Sequence, residues 1–66
     1  MQIYLNGGAR EVPAALTVAG LLESLGLVGR RLAVEVNLEI VPRSVYADTV
    51  LQPGDRVEVV HAIGGG

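Results

Sequence analysis

Cysteine, lysine, phenylalanine and tryptophan are all missing from this 66-residue chain, and each absence removes a class of function. Without cysteine there is no disulfide framework, no thiolate metal site and no thiol nucleophile. Without lysine no side chain offers an amine, because all five basic residues are arginine. Half of the residues are hydrophobic, yet only two are aromatic, Tyr4 and Tyr46, so the core must be built from Val, Leu, Ile and Ala. Five arginines against seven acids leave a net charge of −2. That excludes a nucleic-acid binder that relies on a basic stripe and stacked bases. The longest charge-free stretch, Val12 to Leu22, contains Pro13 and falls well short of the ~20 apolar residues that cross a bilayer. Met1 leads straight into patterned sequence, with no basic segment or cleavage site before it. The expectation is one small domain in the cytoplasm, a monomer when free, that binds neither membrane nor nucleic acid. A chain of this size buries only about 60% of its unfolded surface, which calls for an economical fold.

What is present is strongly patterned. Ile3 and Leu5 alternate with Gln2, Tyr4 and Asn6 as in a half-buried strand. Gly7-Gly8 suits a two-residue turn, and Ala9 to Val12 returns as a second strand stopped by Pro13. Val18, Leu21, Leu22 and Leu25 lie at helical spacing, with Thr17 as N-cap and Gly26 as the residue that ends the helix. Gly20 inside that helix costs roughly 1 kcal/mol relative to Ala, so the helix must depend on packing. Leu32, Val34 and Val36 mark one face of a third strand, and Ile40-Val41 forms a short fourth strand ended by Pro42. Arg43 to Val50 is irregular or a single helical turn, with Val45, Tyr46 and Val50 as packing contacts. Residues 51–55 make a turn, and Arg56 to His61 form the last strand, with Val57 and Val59 inward and Glu58 and Val60 outward. The predicted class is α+β, in the order ββαβββ. One helix packs on one face of a mixed sheet of four to five strands, and the other face stays partly open. Residues 1–63 form the domain and residues 64–66 a glycine tail.

No constellation in the body of the chain carries chemistry. His61 is the sole histidine and has no partners at ligand spacing. Ser24 and Ser44 have no Ser-His-acid context, and Glu35 and Glu39, which flank a turn, would need a cleft to act as a pair. Attention therefore falls on Gly64-Gly65-Gly66, directly after Ala62-Ile63. Three glycines at an exposed end need no function. They can also thread a channel too narrow for any Cβ and present an unhindered carboxylate inside another protein. Such a carboxylate needs activation, for which ATP-dependent adenylation is the usual route. The absent Lys and Cys then mean that no amine or thiol side chain captures the activated end in cis.

The chain resembles the ThiS family of sulfur carrier proteins of thiamine thiazole biosynthesis, a ubiquitin-like β-grasp group. The resemblance runs over the whole length. It is carried by Met1-Gln2-Ile3, Leu16-Thr17-Val18 entering Leu21-Leu22, Val34-Glu35-Val36-Asn37 followed by Ile40-Val41-Pro42-Arg43, Pro53-Gly54-Asp55-Arg56-Val57-Glu58, and Gly65-Gly66. Gly64 stands where a small residue such as Ala is more usual. The resemblance implies that a partner adenylyltransferase of the ubiquitin-activating type uses ATP and Mg²⁺ to adenylate the Gly66 carboxylate. A cysteine desulfurase or another sulfur donor then converts it to a thiocarboxylate, and thiazole synthase takes the sulfur. The chain itself would bind no cofactor and catalyse nothing. Val60, Ile63, Leu38 and Tyr46 are the candidate partner contacts, with Gly64 and Gly65 threading the tail. The alternatives are a sulfur carrier for molybdopterin synthase, a protein modifier conjugated through Gly66, and an interaction module whose glycines are a frayed end.

Overall fold

The structure, a computed structural model, describes residues 1–61. Its first turn is Asn6-Gly7 rather than Gly7-Gly8. Asn6 and Gly7 both have left-handed backbones, φ 49° and 86°, as a type I′ hairpin turn requires. Asparagine tolerates that region because its short polar side chain bonds locally. The turn joins β1 (Gln2–Leu5) to β2 (Gly8–Glu11), with Leu5 opposite Gly8.

Asn6 also does more than turn the chain. Its backbone N–H donates to the Val57 carbonyl (2.9 Å), and its Oδ1 accepts from the Val59 N–H (2.9 Å). Those bonds extend the pairing of β1 with β5 (Arg56–His61), which runs parallel to it. On its other side β5 pairs antiparallel with β3 (Leu32–Val36), and β3 with β4 (Glu39–Val41). The sheet therefore has five strands in the order β2-β1-β5-β3-β4, and the expected mixed sheet is complete.

Helix α1 spans Val18–Ser24, seven residues, shorter than its apolar spacing suggested because Leu25 is already the cap. The Thr17 hydroxyl accepts from the Gly20 N–H at 3.0 Å. At the other end Gly26 is left-handed (φ 70°). The Leu27 N–H reaches the Leu22 carbonyl and the Gly26 N–H the Glu23 carbonyl, the bonding of a Schellman cap. A Cβ at Gly20 would lie 2.9 Å from Leu16 Cδ1 and 3.3 Å from Thr17 Oγ1. The glycine therefore gives room to the side chain that leads into the helix, which the propensity argument alone does not capture.

The core holds Ile3, Val12, Val18, Leu21, Leu22, Val34, Leu51, Val57 and Val59, and among the described residues no polar side chain is buried. Two expectations from the segment before β5 need correcting. Val45 and Val50 are 38% and 46% exposed, whereas Leu51, expected in a turn, is 1% exposed. The segment runs alongside the start of α1: Val18 N–H bonds to Thr49 O and Leu51 N–H to Leu16 O, around a Thr17–Val50 bridge. That extended pairing turns Leu51 inward and Val50 out. Just before it, Arg43–Asp48 forms a 3₁₀ helix whose Tyr46 packs against the core. Glu35 and Glu39 do not approach as a pair, because Glu35 opposes Ile40 and Glu39 opposes Val36, on opposite faces of the sheet.

The β3–β4 turn, Asn37-Leu38, is also left-handed at both positions, with φ 51° and 71°. For a leucine this is a strained conformation costing about 1–2 kcal/mol, and its side chain is 86% exposed. Leu38→Gly is therefore expected to raise the stability, by up to about 1 kcal/mol once the extra freedom of glycine in the unfolded chain is deducted. Urea midpoints of the two proteins check this, and a lower midpoint for the variant would show that Leu38 makes a stabilising contact.

Candidate functional site

Strand β5 leads to the residues expected to carry the reactive end. Its inward residues Val57 and Val59 are anchored in the core, and its last rung pairs His61 with Leu32 at the start of β3. The chain beyond His61 therefore continues from the central strand of the sheet, whose last two rungs, Val60 and His61, are paired with β3. Gly64, Gly65, Gly66 and Ile63, the residues expected to carry and thread the reactive end, lie outside the described residues, as does the expected domain boundary at 63.

Two surfaces flank this exit. The first is the sheet face that α1 leaves uncovered. Alternation along β5 puts Arg56, Glu58 and Val60 there, joined by Ala33 and Glu35 of β3, Ile40 of β4 and Tyr4 of β1. Val60 is 56% exposed and Ile40 73%. The Arg56 guanidinium sits 5.1 Å from the centre of the Tyr4 ring, a cation–π contact. Below it, Asn37 ties the β3–β4 turn to the start of β5: its Nδ2 donates to Asp55 Oδ1 (3.0 Å), and its Oδ1 accepts from the Arg56 N–H (2.9 Å). Asp55 Oδ2 also accepts from the Gln52 N–H at 2.8 Å. This polar network holds the β3–β4 turn, which contains Leu38, against the start of β5. Of the predicted contacts, Val60 lies on this face, and Leu38, 86% exposed, stands in the turn at the end of β3 and β4.

The second surface lies on the helix side, and Tyr46 belongs there. It is a groove of about 360 Å³ between α1, the loop after it and the 3₁₀ helix. Leu22, Leu27, Leu32 and Tyr46 line it, with Val28 at 68% exposure. Arg30 and Arg43 also line it, and Arg43 Nη2 donates to the Arg30 carbonyl at 3.4 Å. The only ion pair among the described residues joins the Met1 ammonium to Glu11, so neither arginine has a carboxylate partner there. Sequence reading missed this groove because Arg30 and Arg43 come from separate segments. The available signal was three of the five arginines, Arg30, Arg31 and Arg43, beside apolar positions of α1 and β3.

Among the described residues no group of His, Asp and Glu could hold a metal ion, and none of the helices is long and apolar enough to cross a membrane. The described part offers a partly apolar sheet face, an apolar groove edged by arginines, and a strand that ends between them.

Comparison with known proteins decides the family, since the family model for ThiS matches residues 3–66. The chain belongs to the ThiS family. It is 38% identical to the sulfur carrier protein ThiS of Escherichia coli over all 66 residues, covering the whole of both chains. The crystal structure of a ThiS from Geobacter metallireducens superposes with a TM-score of 0.87 at 32% identity, again over the whole of both chains. The fold is thus the β-grasp of ThiS proteins. The chain is also 48% identical, over its full length, to part of a thiazole synthase from Paramagnetospirillum magneticum, and 47% identical to part of one from Magnetococcus marinus. It spans about one fifth of the length of those two proteins.

Proposed function

We propose that this ThiS-family chain is a sulfur carrier for thiazole formation in thiamine biosynthesis, acting as a co-substrate of partner enzymes in the cytoplasm rather than as a catalyst. The observation that carries the proposal is the similarity to the E. coli sulfur carrier over the whole of both chains, with three glycines at residues 64–66. An adenylyltransferase of the ubiquitin-activating type, using ATP and Mg²⁺, converts the Gly66 carboxylate to an acyl adenylate and releases pyrophosphate. The terminal sulfur of a donor persulfide, such as that of a cysteine desulfurase, attacks the acyl carbon and AMP leaves. A further thiol then cleaves the sulfur–sulfur bond, leaving a thiocarboxylate on Gly66 and a disulfide between the two thiols. Since this chain has no cysteine, both thiols belong to partners or to an added reductant. Thiazole synthase accepts the thiocarboxylate sulfur and returns the carrier. Val60 and Leu38, with Ile63 nearby in sequence, serve as docking contacts, and Gly64 and Gly65 thread the tail.

The test is an intact mass spectrum after incubation with ATP, Mg²⁺, the adenylyltransferase and a sulfur donor. One oxygen is expected to be replaced by sulfur. An unchanged mass, while the same enzymes convert the E. coli carrier, would overturn the reading.

A further inference from the structure

We infer that the groove lined by Arg30, Arg43 and Tyr46 is a second docking point, which receives an apolar side chain flanked by a carboxylate from thiazole synthase. This rests on the proposed function for the identity of the partner, but not for the chemistry of the groove. The groove volume, about 360 Å³, falls within the range of about 300–1,000 Å³ in which sites bury a compact ligand group. Its floor is apolar, and two guanidinium-bearing residues line it without a carboxylate partner among the described residues. On a chain of net charge −2 this is a local reversal of sign. The matching occupant is therefore apolar with an anionic edge, since an arginine fork pairs best with a carboxylate.

Position argues for a protein that also takes the tail. Leu32 lines the groove and is the strand partner of His61, the last described residue. A protein that receives the residues beyond His61 is brought alongside the groove. Among the similar proteins, stretches 48% and 47% identical to this chain are contained within two thiazole synthases. Covalent attachment there keeps the groove close to the synthase, where even a modest contact is favoured by effective concentration. The two faces then divide the labour: the helix-side groove meets the synthase, and the open sheet face around Val60 is left for the adenylyltransferase.

The experiment measures binding of the full chain to the source organism's thiazole synthase by calorimetry, alongside the rate of its adenylation. The double variant Arg30→Glu/Arg43→Glu is expected to bind the synthase more weakly by roughly tenfold or more, as for a broken charge-assisted pair, with adenylation unchanged. Ala19→Phe, which fills the groove from α1, is expected to do the same without altering charge. Val60→Asp should show the opposite pattern. Unchanged synthase affinity in the double variant overturns the inference, as does a loss of adenylation in place of synthase binding. Circular dichroism melts show whether each variant is folded, and Ala19→Phe supplies the result if the double variant is not. If the wild-type chain binds no synthase, the inference falls whatever becomes of Gly66. If it binds and the variants do not, the inference stands even where Gly66 acquires no sulfur.

Discussion

Removing Gly65 and Gly66 is expected to abolish thiocarboxylate formation completely while leaving the thermal midpoint where it was. The two halves of that expectation rest on different parts of the chain. Chemistry in the proposed function happens at one carboxylate, and a chain ending at Gly64 presents its carboxylate two residues too early. Extended backbone covers at most about 3.3–3.6 Å per residue, so the reactive carbon stops about 7 Å short of its place in the adenylating site. Reactions that depend on near-attack placement do not survive displacements of that size. Stability comes from elsewhere, since the buried side chains of the described residues run from Ile3 to Val59. Differential scanning calorimetry and the intact mass assay on the same sample check both halves. A lowered midpoint would mean that the tail is part of the folded body. Sulfur incorporation by the shortened chain would remove Gly66 from the mechanism.

The second large effect is on folding. Leu51→Ala is expected to cost about 2–5 kcal/mol, the range for truncating a fully buried leucine. A chain of this length has a total stability of roughly 3–10 kcal/mol, so the variant loses a large share of it. At about 4–8 °C per kcal/mol for small domains, the midpoint should fall by about 8–40 °C. Val50→Ala, one residue away but 46% exposed, should change it little. Comparable losses at both positions would show that the segment before β5 does not alternate as described.

Leu51 also shows what the sequence could and could not disclose. The strands, the helix with its Thr17 and Gly26 caps and the inward Val57 and Val59 follow from local periodicity, because each is decided by neighbours within a few residues. Leu51 has no such pattern. Its burial depends on pairing with Leu16, a contact between distant parts of the chain, and only the assembled fold supplies it. The first turn differs from expectation for a subtler reason. Gly7-Gly8 is the more permissive pair, but Asn6 can take the left-handed position and also bond to Val59 across the sheet. At the site, the outward position of Val60 is legible from alternation along β5. The grouping of Arg30, Arg43 and Tyr46 is not, since the 3₁₀ helix and the loop after α1 are brought together by the fold rather than by spacing.

The place of β5 in the sheet has a bearing on how the protein is made. The hairpin β1–β2 and the hairpin β3–β4 share no ladder with each other; both are joined only through β5, the last of the described strands to be synthesised. A nascent chain that stops before Arg56 has two unlinked hairpins and lacks Val57 and Val59 from its core. Pairing across such sequence separations must meet its loop-closure entropy before it is rewarded, and the described sheet is complete only once translation has passed His61. Prematurely ended chains are therefore expected to lack the folded sheet, because the strand that joins the two hairpins is the last of the described strands to be made.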